Sequence, residues 1–117
     1  MGAPLQVVVD AHDPKRLAVF WAEVLGYVAV PLPGNPDEWF SLVDPAGAGP
    51  RFLLQQVLER KTVKNRVHLD IEVGTENMKA RAHELSKLGG TYVREHKEPV
   101  GHWIVMMDPE GNEFCLH

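Results

Sequence analysis

The chain has a single cysteine, Cys115, in 117 residues. One thiol excludes an internal disulfide and any zinc site built from several cysteines, and it predicts a reducing compartment, the cytoplasm. Basic residues are not in surplus either. Lys and Arg number 12 against 16 Asp and Glu, a formal charge of −4 with a pI near 5.8. A nucleic-acid binder needs a basic face, so that class is set aside. No apolar run approaches the roughly 20 residues of a membrane span. The opening MGAPLQVVVD has no basic n-region and no long apolar stretch, so no signal peptide is expected. These absences predict a soluble, cytoplasmic single domain over residues 1–117 that meets neither membrane nor nucleic acid. A chain of this length can bury a core without disulfide or metal staples.

What is present is a repeat. Trp39-Phe40-Ser41-Leu42-Val43-Asp44-Pro45-Ala46-Gly47 returns 64 residues later as Trp103-Ile104-Val105-Met106-Met107-Asp108-Pro109-Glu110-Gly111. Each copy has a Trp, a stretch of strand character and an Asp-Pro-x-Gly turn, so the fold question becomes one of two related halves. Paired modules commonly build a ligand site from matching strands.

The first half reads as a strand at 5–10, then a helix capped by Asp13, with Pro14 in its first turn and Gly26 at its end. Leu17, Phe20, Trp21, Val24 and Leu25 make its apolar stripe. Strands at 27–31, 38–44 and 51–57 follow. The second half repeats the order. A strand at 66–73 leads to a helix with Thr75 as N-cap, a stripe of Met78, Ala82, Leu85 and Leu88, and an end at Gly89-Gly90. Strands at 91–96, 102–108 and 112–117 complete it. Each half is βαβββ, giving modules 1–58 and 65–117 joined by the basic linker between them. That linker either is solvated or holds an anionic ligand.

Side chains alternate across a strand. In the strand at 66–73, Val67, Leu69, Ile71 and Val73 share one face, while His68, Asp70 and Glu72 share the other. In the last strand Phe114 and Leu116 oppose Glu113, Cys115 and His117. The helices cover the apolar faces. The polar faces carry metal-ligand and acid–base groups, and either line a cavity or meet water.

The chain resembles the glyoxalase/bleomycin-resistance/dioxygenase superfamily, the vicinal oxygen chelate proteins, in its glyoxalase-like branch. The resemblance rests on Asp13-Pro14-x-x-Leu17-Ala18-x-Phe20-Trp21-x-x-x-Leu25-Gly26, on Lys64-Asn65-Arg66-Val67-His68-Leu69-Asp70, and on Asp108-Pro109-Glu110-Gly111-Asn112-Glu113-Phe114. It implies an α+β fold in which two βαβββ modules form an open, eight-stranded, cup-shaped sheet with helices on the outer face. It also implies a homodimer and, in metal-dependent members, a divalent ion in the cup that polarises substrate oxygens. Matched position by position, Gln6 falls where the family uses His or Gln. His68 matches the family's histidine, and Gln55 is assigned to the fourth-strand position. Cys115 stands where glyoxalases and many dioxygenases have Glu. Gln6, His68, Gln55 and Cys115 are therefore the candidate metal ligands. The set lacks a carboxylate, so this degenerate site is expected to bind a divalent ion weakly or to hold none; its imidazole and thiol suit zinc, with nickel, iron and manganese as the other candidates.

Glu113 and His68 are the candidate catalytic residues, with Glu113 as general base. Asp70, Trp103 and Gln55 are the candidate ligand-binding residues. Competing readings stand beside each: a surface ion pair for Glu113, a salt bridge for Asp70, core packing for Trp39 and Trp103, and a small buried hydrophobe for Cys115. His12, His83, His96 and His102 show no consistent partners. The resemblance implies a protein that binds a small oxygenated metabolite, either as a glyoxalase-like lyase or isomerase or dioxygenase-type enzyme, or as a non-catalytic, antibiotic-sequestering protein.

Overall fold

A computed structural model describes residues 2–117. The chain divides into two compact units, one ending at Arg60 and the other spanning Lys61–His117. The division falls inside the basic linker expected from the sequence. The first unit runs β1 (Val7–Ala11), α1 (Pro14–Leu25), β2 (Val28–Val30), β3 (Trp39–Val43), β4 (Phe52–Gln56). The second runs β5 (Asp70–Ile71), α2 (Met78–Lys87), β6 (Thr91–Glu98), β7 (Gly101–Met107), β8 (Glu113–Leu116). Both are βαβββ, and their sheets have matching orders, β1-β4-β3-β2 and β5-β8-β7-β6. In each, a parallel pair (β1 with β4, β5 with β8) is extended by antiparallel neighbours.

The local chemistry of α1 follows its sequence. The Asp13 carboxylate accepts from the Arg16 backbone N–H at 3.3 Å, and Pro14 occupies the first turn, where its missing N–H costs nothing. Gly26 closes the helix at φ 67°, a left-handed conformation that a Cβ disfavours. Leu17, Phe20, Trp21 and Val24 are buried on the sheet face of Phe52, Leu54 and Leu42. The Trp21 and Phe52 rings lie 5.1 Å apart. Each large side chain buried there contributes about 1.5–3 kcal/mol.

The second core is made by Met78, Ala82 and Leu85 of α2 against Ile104, Met106, Phe114 and Leu116. Two expectations need correction here. Leu88 is the C-cap of α2 and is half exposed, not part of the stripe. Thr75 opens a short 3-10 turn, Thr75–Asn77, and the α-helix proper begins at Met78.

The strand expected at 66–73 is also shorter. Asp70 and Ile71 pair with β8, backbone hydrogen bonds extend the contact to Leu69 and Val73, and Val67 is 83% exposed. The Glu113 side chain accepts from the Asn65 backbone N–H at 2.9 Å, and the Asn65 amide reaches the Glu113 carbonyl at 3.5 Å. Segment 65–68 is thus tied to β8 through side chains. Alternation of burial begins at Leu69.

The two Asp-Pro-x-Gly turns work as expected. Asp44 accepts from the backbone N–H groups of Ala46, Ala48 and Gly49, and Asp108 from those of Glu110 and Asn112.

Candidate functional site

Cross-strand register fixes which side chains share a face. In the C-terminal sheet Asp70 stands opposite Cys115, Cys115 opposite Val105, and Val105 opposite Arg94. His96 stands opposite Trp103 on the same face. The opposite face carries the buried Ile104, Met106, Phe114 and Leu116. The strand thus sends its apolar set to α2 and its chemical set to the open side.

A pocket of about 540 Å³ lies on that open side, lined entirely by residues of the C-terminal unit. Its volume is in the range of small-molecule sites. His68, Asp70 and Cys115 converge in it, their nearest donor atoms all within 4.8 Å of one another. His68 Nδ1 and Asp70 Oδ1 are 3.3 Å apart. That is about the spacing of two N/O ligands on one tetrahedral zinc, given bonds near 2 Å. His68 and Asp70 are exposed, whereas Cys115 is buried. Burial, then the charge of Asp70 and its hydrogen bond, push the Cys115 thiol up, against smaller opposing effects of Lys64 and Arg94. The shift favours the protonated thiol.

Glu113 lines the same pocket but is already engaged. Lys61 Nζ lies 3.0 Å from its carboxylate and the Asn65 N–H donates to it at 2.9 Å. Burial raises its pKa, but the Asn65 and Lys61 contacts outweigh this and hold the carboxyl below its ordinary value. A carboxylate so held is ionised and weakly basic, which weighs against the general-base role and for an anchoring one.

Trp103 forms a wall of the pocket, its ring stacked on His96 with centroids 5.0 Å apart and planes 20° from parallel. Arg94 Nε donates to His96 Nε2 at 2.7 Å. His102 bonds to Glu95, whose carboxyl is held low chiefly by that bond. Lys64, Arg94, His96 and His102 all line the pocket and were not singled out from the sequence as site residues. Arg94 and His96 escape strand-periodicity reasoning because β6 carries a bulge between Tyr92 and Arg94. Tyr92 faces Met106 on the helix side. Uninterrupted alternation would put Arg94 there too, but the extra residue turns Arg94 and His96 toward the pocket.

Gln6 and Gln55 belong to the N-terminal unit. Gln6 is exposed, one residue before β1, and Gln55 is partly buried on β4, opposite Asp10 and Trp39. The registers of the two modules can be matched directly. Val8 pairs with Leu53 as Asp70 pairs with Cys115, and two residues back Gln6 corresponds to His68. Leu53, not Gln55, is therefore the counterpart of Cys115. The fourth-strand ligand position of the first module holds an apolar side chain.

The glyoxalase-like domain family model matches residues 6–117. The chain belongs to the glyoxalase-like domain family. No curated protein sequence matches it. Among solved structures, a glyoxalase/bleomycin resistance protein/dioxygenase family enzyme from Burkholderia phytofirmans PsJN has a TM-score of 0.79 at 18% identity, with 97% of each chain covered. A mutant of the fosfomycin resistance protein FosX from Listeria monocytogenes, complexed with manganese(II) and 1S,2S-dihydroxypropylphosphonic acid, has a TM-score of 0.79 at 14% identity, covering 100% of this chain and 90% of that one. FosX from Mesorhizobium loti has a TM-score of 0.76 at 14% identity, covering 100% and 91%. At these identities the likeness is one of fold. This glyoxalase-like domain shares the vicinal oxygen chelate architecture. Among its described residues no helix is long and apolar enough to cross a membrane.

Proposed function

We propose that this glyoxalase-like domain binds a small oxygenated organic molecule in its C-terminal pocket, beside a divalent metal held by His68, Asp70 and Cys115. The observation that carries the reading is the convergence of one imidazole, one carboxylate and one thiol on the floor of a pocket of ligand size. The FosX complex with manganese(II) and a phosphonic acid supports a metal-plus-ligand role for this architecture. The donor set here differs in kind. Nitrogen, oxygen and sulfur together suit zinc better than manganese, which prefers all-oxygen surroundings. Asp70 supplies the carboxylate that the sequence reading found missing.

A bound divalent ion supplies Lewis acidity toward an oxygen of the ligand. The chain's own residues do the rest. Trp103 and Val105 give the ligand an apolar wall, and Glu113 holds segment 61–65 to β8 so that Lys64 and His68 stay at the pocket. The chemistry favoured by this arrangement is that of a lyase or isomerase acting at a carbon next to an oxygen that such an ion would polarise. A second reading, sequestration without turnover, is favoured by Leu53, because the first module offers no donor at its fourth-strand position.

Elemental analysis after dialysis against mixed divalent metals tests the proposal. About one zinc per chain, lost in His68→Ala and in Asp70→Asn, is the expected result. A metal-free wild-type chain, or zinc retained in both variants, contradicts it.

A further inference from the structure

The protein carries a formal −4, yet two cations, Lys64 and Arg94, line the pocket. Of its two carboxylates, Glu113 is neutralised by Lys61 and Asp70 sits beside His68. Among the described residues no carboxylate lies within ion-pair distance of Lys64 or Arg94. Among the described residues, the hydrogen bonds of these two side chains go to the Asn65 carbonyl and to His96 Nε2.

Both side chains are exposed, and a β-bulge decides which face of the sheet Arg94 occupies. The irregularity after Tyr92 turns Arg94 away from the helix side and onto the pocket face. Arg94 then donates through Nε to His96, which is itself stacked on Trp103. That contact fixes the guanidinium plane and leaves its terminal N–H groups for a bidentate partner.

From this geometry we infer that the pocket's ligand is a small organic oxyanion, a carboxylate or a phosphonate/phosphate, gripped by Arg94 and Lys64 with its hydrocarbon part against Trp103 and Val105. The inference rests on the pocket being a ligand site and names the class of molecule it takes. Arg94 and Lys64 select the charge, and the aromatic wall accepts the apolar remainder.

The test is a titration of the full chain, metal-free and zinc-loaded, with phenylphosphonate and benzoate beside neutral benzyl alcohol and cationic benzylamine. The Trp103 indole N–H resonance, assigned with Trp103→Phe, reports binding. Both anions should saturate, while the alcohol and the amine should leave the resonance in place. Tighter binding of phenylphosphonate than of benzoate marks a dianionic ligand, and the reverse order marks a carboxylate. Arg94→Gln and Lys64→Gln should each weaken anion binding about tenfold, with Arg94→Lys in between because it keeps charge and loses the fork. Equal binding of the neutral or cationic probe, no saturable anion binding, or a double Gln variant with undiminished affinity would overturn the inference. The metal-free arm separates it from the metal proposal. Anion binding without zinc uptake leaves this inference standing, and zinc uptake without anion binding removes this inference alone.

Discussion

Asp70 stands directly across the parallel β5–β8 pair from Cys115, and its charge adds to burial in raising the thiol's pKa. Burial pushes the thiol up first, and the facing carboxylate pushes it further. Replacing Asp70 with Asn removes the second effect and leaves the burial. The Cys115 pKa in Asp70→Asn should therefore fall relative to wild type. Alkylation rates measured as a function of pH should show the variant reacting faster near pH 8, through its larger thiolate fraction. An unchanged profile would mean that Asp70 does not act on the thiol. The same raised pKa makes a stability prediction. The folded state holds this proton more tightly than the unfolded chain, so the contribution is intact below the thiol's ordinary pKa of 9.0. It is lost as pH rises through the folded value, and Cys115→Ala should flatten the alkaline decline.

Glu113 has the opposite sign. Its folded pKa lies below the ordinary carboxylate value despite the upward push of burial, because Asn65 and Lys61 stabilise the ionised form. Its contribution is present above the ordinary value of 4.5 and disappears as pH falls through the folded one. Glu113→Gln should cost about 1–2 kcal/mol at neutral pH, in keeping with loss of charge-assisted hydrogen bonds to a largely buried carboxylate. The gap between variant and wild type should close toward pH 3 in urea melts. If Glu113 is instead the catalytic base, the variant keeps its stability and its turnover alone collapses.

The β6 bulge can be removed by deleting Val93. Arg94 then follows Tyr92 directly, and regular alternation keeps it opposite Val105 on the pocket face with the His96–Trp103 stack intact. The deletion should leave far-UV circular dichroism and Trp103 fluorescence close to wild type and retain benzoate and phenylphosphonate binding. Loss of anion binding in a folded variant would contradict this register.

Much of this was readable in the residues, and the exceptions have physical causes. Helix α1 declares both ends, since Asp13, Pro14 and Gly26 each satisfy or free a particular backbone group. The repeat around Trp39 and Trp103 places β3 and β7, and their turns are set by Asp44 and Asp108. His68 and Cys115 could be singled out because their spacing matches a family pattern. Segment 66–68 misleads because alternation records which face a residue prefers, whereas backbone pairing with β8 begins only at Leu69. Gln55 misleads because the register of β4 depends on β1, and only that pairing identifies Leu53 as the partner of Val8. Arg94 and His96 were hidden by one extra residue in β6, which reverses the faces of everything after it. Bulges of this kind leave no periodic signature.

Cobalt(II) titration addresses the metal site most directly, because cobalt reports on its ligands as well as its presence. A chain that holds the ion through His68, Asp70 and Cys115 should develop a near-ultraviolet thiolate-to-cobalt charge-transfer band that saturates at about one equivalent and is bleached by zinc. Cys115→Ser should remove the band, and His68→Ala should weaken or abolish it. Absence of the band in the wild-type chain, or its persistence in Cys115→Ser, would contradict the site.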